Sequence, residues 1–394
     1  MGKGHLLTSP PVVAFFRRFW YITLMKKDLK ETPQPTLIRH SIDGLSPYLA
    51  DKPESQTAPV TRLCFNENLH GPSPAAVKAI VQAALSVHFY PDPGGWELRE
   101  ALHQKHGLPA AQIILGNGAD SLITLISTTF LNPGDEVLFC EPTFPIYKSA
   151  TLISMGTPRG FPLNNTYQFD LGTLLEAITP KTKLIVICNP NNPTGTVLTP
   201  NEMEDFLKRL PEGVIAILDE AYIDFTEPDK IPPTLTWIEE GYPVISLRTF
   251  SKAYGLAGMR IGYAMASEEI IQYLYRTREP FAVSALAIKA AVGALSDTEH
   301  YHRVTRSIKE EREKLQKTFA KRGLEYITSQ ANFIFVNFET DSQEVCKRLS
   351  EFGILIRYSQ SWQMPSWARI TVGTPQANQA LLRALDRVLT DMSR

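Results

Sequence analysis

The sequence predicts an α/β fold: a large domain built on a mostly parallel sheet flanked by helices, then a smaller α+β C-terminal domain. Three observations lead there. At 394 residues the chain is too long for one small core. From Pro74 onward, helix-periodic stretches alternate with short apolar runs rich in β-branched residues. After about Phe281 that texture gives way to a long charged helix and further short strands.

The elements follow in order. Pro74–Leu85 and Trp96–His106 place apolar residues three and four apart and are expected to be helices. Gln112–Leu115 is a short strand, then Gly116-Asn117-Gly118 leads into a helix over Asp120–Phe130. Glu136–Cys140, Leu184–Cys188, Val214–Asp219, Val244–Arg248 and Ile261–Met265 are apolar runs bounded by Gly, Pro or Asn, as suits strands buried on both faces. A helix over about His302–Arg322 is followed by strands at Phe333–Asn337, Ile354–Arg357 and Ala368–Val372, then a last helix from Gln376. The expected division is an N-terminal extension or arm over 1–40, a large domain over 41–280 and a small domain over 281–394.

Lys+Arg 40 against Asp+Glu 41 leaves a net charge of −1, so no global field draws in nucleic acid or an acidic membrane surface. The cysteines Cys64, Cys140, Cys188 and Cys346 lie far apart with no ligand spacing, which points to reduced thiols in the cytoplasm and to no metal site. Val12 to Met25 is apolar but interrupted by Arg17-Arg18, too short and too charged to span a bilayer. It lacks the small-residue cleavage site of a signal peptide, and Met25 could be the true start.

The chemistry-bearing residues fall where strands end, which is where open α/β sheets bind ligands. Gly116-Asn117-Gly118-Ala119-Asp120 lets backbone approach an anion at a helix start, though a tight turn alone would look the same. Phe144, in Glu141-Pro-Thr-Phe-Pro-Ile-Tyr147, could offer a flat face to a planar ring or simply fill the core. Asn189-Pro-Asn-Asn-Pro-Thr-Gly-Thr196 places amides beside rigid turn residues, with Asn192 the expected donor. Asp219 follows an apolar strand and needs either a partner or solvent. Lys252 lies between hydroxyls at Thr249 and Ser251 and an arginine at 260; alone, it would read as a surface cation.

Together, in this order, these segments resemble the fold type I pyridoxal-phosphate-dependent aminotransferases, and most of all their histidinol-phosphate aminotransferase branch. Asn66-Glu-Asn68, Tyr90-Pro-Asp-Pro93, Gly116-Asn-Gly118, Asn189–Gly195, Asp219–Phe225, Thr249–Tyr263 and Arg369-Ile-Thr-Val-Gly-Thr374 carry the likeness, which runs from about Ser41 to near the C-terminus. The resemblance implies the PLP-dependent transferase fold type I and pyridoxal 5′-phosphate as cofactor. It implies that Lys252 holds the cofactor covalently and then moves the proton at the substrate Cα, that Asp219 pairs with the ring nitrogen, and that Tyr222 and Asn192 reach the ring's phenolic oxygen. Phe144 would stack on the ring. Ala119, Asp120, Thr249, Ser251 and Arg260 would hold the phosphate. Arg369 would grip a substrate carboxylate, Arg357 would add charge for a substrate phosphate, and Asn68 would lie beside the substrate. Tyr48 would reach the neighbouring subunit's substrate in a homodimer.

The sequence departs from that pattern in two places. Asn68-Leu69-His70-Gly71 stands where the family usually has Asn-Pro-Tyr-Gly, so His70 takes the place of a tyrosine that touches the cofactor phosphate across the dimer. Ala282 and Ser284 replace frequent asparagines. The implied activity is transfer of an amino group from histidinol phosphate to 2-oxoglutarate, in histidine biosynthesis. An aromatic amino-acid aminotransferase is the alternative, and a threonine-phosphate decarboxylase a more distant one. A regulator with an aminotransferase-like domain would carry a long DNA-binding segment, whereas only about 40 residues precede the pattern.

Overall fold

A computed structural model describes residues 39–42, 45 and 60–392. The chain divides into a unit over Met1–Ser46, whose described part is a single 3-10 turn at His40–Ile42, and a compact unit over Pro47–Arg394. All the described strands lie in the second unit.

Its strands are β1 (Thr61–Leu63), β2 (Ile113–Gly116), β3 (Glu136–Glu141), β4 (Thr157–Pro162), β5 (Thr182–Cys188), β6 (Ile215–Asp219), β7 (Val244–Thr249), β8 (Gly262–Met265), β9 (Glu325–Ile327), β10 (Phe333–Asn337), β11 (Ile354–Tyr358) and β12 (Trp367–Thr371). Seven of them form one sheet in the order β2-β8-β7-β6-β5-β3-β4. Only β8 runs against its neighbours there, so the sheet is mostly parallel, as the unbroken apolar runs foretell. Residues 184–188 and 215–219 are buried throughout. β4, with Pro158, Gly160 and Pro162, lies at an edge, where a strand lacking N–H donors is tolerated.

The remaining five strands form the sheet β1-β11-β12-β10-β9. β1 precedes the whole large sheet in sequence yet pairs in parallel with β11, Thr61 opposite Ile354. A second apolar core covers this sheet and includes Leu63, Phe333, Ile354 and Leu385. The helix expected near His302–Arg322 spans Thr298–Lys321, and the last helix spans Pro375–Met392.

In-register pairing sets the working edge of the large sheet. Cys188 lies opposite Asp219, Asp219 opposite Leu247, and Gly262 between Thr249 and Gly116. The chain therefore leaves β2, β5, β6 and β7 at one edge, and the helix Ala119–Phe130 starts there. Several helices begin on capping side chains: Ser73 accepts the Ala76 N–H, and Thr199 with Glu202 forms a capping box. Ser284, one of the departures from the family pattern, is such a cap, accepting the Ala287 N–H at 3.2 Å. The helix at the working edge begins instead on Gly118, with no side chain on its first N–H groups.

Candidate active site

A cavity of about 360 Å³ opens at that edge, between the two sheets. It gathers Ala119, Asp120, Phe144, Asn192, Asp219, Tyr222, Thr249, Ser251, Lys252, Arg260, Arg357 and Arg369 into one lining. These residues span some 250 positions of sequence and seven separate segments, so only the fold unites them.

On the floor, Asp219 is buried, its Oδ2 accepting a hydrogen bond from the Tyr147 hydroxyl at 2.6 Å and its Oδ1 one from the Ala221 N–H at 3.1 Å. Burial pushes its pKa up to about 6, against the pull of those two hydrogen bonds. Beside it in sequence, buried Glu220 accepts from Thr234, Ser246 and the Arg248 guanidinium at 2.5, 2.6 and 2.9 Å, so its charge is fully partnered.

Lys252 reaches the cavity from the turn after β7, its Nζ donating to the Phe65 carbonyl at 3.3 Å and lying 5.4 Å from the Tyr222 ring centre. Loss of hydration, reinforced by the positive charge of Arg369, lowers its pKa to about 8. An amine in that range is available as a base near neutrality. The Tyr222 hydroxyl accepts from Asn66 Nδ2 at 3.0 Å, which leaves its own hydrogen to donate.

At the helix start, Gly118 has φ +83°, and a Cβ there would stand 2.6 Å from Arg260 Nη2. Arg260 is itself left-handed at φ 53°, with Nη2 3.6 Å from Asp120 Oδ2 and Nη1 donating to the Ala257 carbonyl at 3.0 Å. Helix N–H groups, one guanidinium and the Thr249 and Ser251 hydroxyls thus converge on one corner, a donor set suited to a phosphate.

The opposite wall comes from the small sheet. Arg357 and Arg369 face each other directly across β11 and β12 and therefore point to the same side. Arg369 is buried, donates to Asn192 Oδ1 at 2.6 Å and the Cys64 carbonyl at 2.8 Å, and lies 5.5 and 5.3 Å from the rings of Phe333 and Trp362. Arg369 fixes the Asn192 oxygen, and the amide N–H groups are what Asn192 can donate to a ligand.

Two expected residues are placed elsewhere. Asn68 donates to the Ala253 carbonyl at 2.9 Å and accepts from the His70 N–H, shaping its own loop rather than this cavity. His70 does not line the cavity of its own chain; burial, with His300 and Arg303 nearby, lowers its pKa. Tyr48 lies outside the described residues. Sequence reasoning missed Tyr147, Asn66, Glu67 and Trp362, all of which touch the cavity or the residues that line it.

The lining fits pyridoxal phosphate: an anion corner, a buried acid across from a lysine of lowered pKa, and an aromatic face at Phe144. Comparison with known proteins gives the same answer. The family described as aminotransferase class I and II matches residues 58–385. The histidinol-phosphate aminotransferase of Moorella thermoacetica is 40% identical over 358 residues, covering 89% of this chain and 92% of the relative. Histidinol-phosphate aminotransferase 2 of Carboxydothermus hydrogenoformans is 39% identical, covering 90% and 99%. The solved histidinol-phosphate aminotransferase of Sinorhizobium meliloti, in complex with pyridoxal-5′-phosphate, superposes with a TM-score of 0.80 at 31% identity, covering 84% of this chain and 92% of that one. The chain therefore belongs to the class I and II aminotransferases, pyridoxal-phosphate-dependent transaminases of fold type I, within their histidinol-phosphate branch.

Proposed function

We propose that the protein transfers the amino group of histidinol phosphate to 2-oxoglutarate, a step of histidine biosynthesis. The observation that carries this reading is the paired arrangement of Arg357 and Arg369 on one side of the small sheet, both in the cavity wall. Histidinol phosphate has no α-carboxylate, so its phosphate must be held where an amino acid would place one. Two adjacent guanidinium groups suit a phosphate, and equally the two carboxylates of 2-oxoglutarate. The names of the relatives described above support the same substrate.

When bound, pyridoxal phosphate supplies a carbonyl that exchanges for the amine and a ring that draws electrons from the substrate Cα. Lys252 is the residue we assign to covalent attachment and to moving the proton at Cα, a task its pKa of about 8 suits. Asp219 would pair with the ring nitrogen, Tyr222 and Asn192 would donate to the phenolic oxygen, and Phe144 would stack on the ring. The backbone of Ala119 and Asp120, with Thr249, Ser251 and Arg260, holds the cofactor phosphate. Arg369 and Arg357 orient the substrate anion, and Asn68 shapes the adjoining loop.

The working unit in this reading is a homodimer. Val77, Val81 and Leu85 recur every four residues along Pro74–Ser86 and are 45%, 64% and 84% exposed, and Phe89, Tyr90, Trp96 and Phe281 are exposed nearby in sequence or by the Tyr90–Phe281 stack. Apolar surface of this extent is characteristic of an interface. Tyr48 and His70 are the residues we assign to the partner's site. Among the described residues no helix is long and apolar enough to cross a membrane. A cytoplasmic setting belongs to the same proposal, in keeping with four free cysteines.

A panel of amino donors (histidinol phosphate, phenylalanine, tyrosine, glutamate and threonine phosphate), with keto-product and CO₂ detection, tests the reading. Histidinol phosphate should give the highest kcat/KM with 2-oxoglutarate. A preference for phenylalanine or tyrosine would replace it with the aromatic alternative, and CO₂ release from threonine phosphate with the decarboxylase. In the same assay Arg357→Ala should lower kcat/KM for histidinol phosphate on the order of tenfold or more, as expected for a lost charged hydrogen bond, while aromatic donors change little. An equal loss for both would rule out a phosphate role for Arg357.

A further inference from the structure

Tyr147 is 1% exposed and does not line the cavity, yet it touches two of the groups that do. Its hydroxyl donates to Asp219 Oδ2 at 2.6 Å, the length of a charge-assisted bond. Its ring meets Phe144 edge-on, centroids 6.0 Å apart at 87°. The ring is held in turn by Phe139, centroids 6.3 Å away, and the Tyr147 carbonyl accepts from Thr151 at 2.7 Å, so the phenol sits on a rigid helix, Ile146–Ile153. Cys188 is buried close by, but its thiol donates to the Pro190 carbonyl at 3.4 Å rather than to Asp219.

We infer that Tyr147 is the positioning residue that keeps Asp219 ionised and aimed, thereby setting how firmly the cofactor's ring nitrogen holds its proton, while the edge of its ring props Phe144. The inference rests on the aminotransferase reading. Asp219 is buried, and of the two protein donors on it only the Ala221 N–H would remain without Tyr147. Losing a hydrogen bond to a charged group moves its ionisation by about one to two pKa units. Burial already holds Asp219 at about 6, so that loss carries it into the neutral range, where the proton passes from ring nitrogen to acid.

The experiment reconstitutes wild-type protein and Tyr147→Phe with pyridoxal phosphate carrying ¹⁵N in the ring and follows the ring-nitrogen shift against pH. Wild type should keep the nitrogen protonated through neutrality. Tyr147→Phe should lose that proton about one to two pH units lower, bind the cofactor roughly tenfold more weakly, and lower kcat with little change in KM for the amino donor. Should that variant not fold, 3-fluorotyrosine at position 147 keeps the shape and strengthens the donor, and should move the titration the other way. A ring-nitrogen titration unmoved by either replacement would leave Tyr147 a packing residue and overturn the inference. Failure of wild type to take up the cofactor, or uptake unaffected by Lys252→Ala, would instead sink the underlying reading.

Discussion

A carboxylate buried as deeply as Asp219 keeps its proton to a higher pH than it would in water, and in the cofactor-free protein this is measurable. Its pKa rises from 3.8 to about 6 on folding. Between those values the native state holds a proton that the unfolded chain has released, so the contribution of this group to stability falls as pH rises through that window and is gone above it. Asp219→Asn should therefore melt higher than wild type at pH 7 to 8 in the cofactor-free form, by a margin worth up to roughly 3 kcal/mol that shrinks toward pH 4. The same variant should lose transamination on the order of a hundredfold. Calorimetry across pH checks the first expectation, and a wild-type advantage at every pH would refute it. Asp219 is legible in the sequence because it ends the apolar run Ile215–Leu218, Lys252 because it follows the hydroxyls of Thr249 and Ser251, and Arg260 because it lies between Gly258 and Gly262, each within a recognisable phrase. Tyr147 is not, since an aromatic inside a helix looks like core until its partner 72 residues away is known. The same holds for Asn66 and Trp362, whose partners Tyr222 and Thr143 lie 156 and 219 residues away.

At the scale of elements, the start of the helix Ala119–Phe130 bears the most chemistry. Gly118, at φ +83° and ψ 173°, occupies backbone space that essentially only glycine enters freely. Gly118→Ala should cost about 1–3 kcal/mol in chemical denaturation and, by crowding Arg260, weaken pyridoxal phosphate binding more than it weakens folding. Cofactor titration and urea unfolding of the same preparation separate the two effects; an unchanged affinity would show that Arg260 swings clear. The helices and central strands are readable because their apolar periods are unbroken. β4 and β9 escape notice, being short and, in β4, marked by two prolines and a glycine that speak for a loop. β1 escapes because nothing in Thr61–Leu63 names a partner so distant in the chain.

On the scale of the whole molecule, the apolar strip along Pro74–Ser86 bears on assembly. Replacing Val81 and Leu85 together by aspartate should convert a dimer to monomer in sedimentation velocity and lower activity with it, since both substituted positions are exposed and remote from the core. A dimer that persists would place the interface elsewhere. That strip is visible in the sequence only as helix periodicity, because period alone does not tell which apolar face turns inward and which is left outside.

Synthesis of the chain gives the position of β1 a further meaning. Thr61–Leu63 leaves the ribosome about three hundred residues before β11, against which it must lie. The large sheet can settle while translation continues, but the wall bearing Arg357 and Arg369 waits until β11 and β12 have both been made. A nascent or truncated polypeptide can thus own its lysine and its acid and still have nothing with which to grip a substrate.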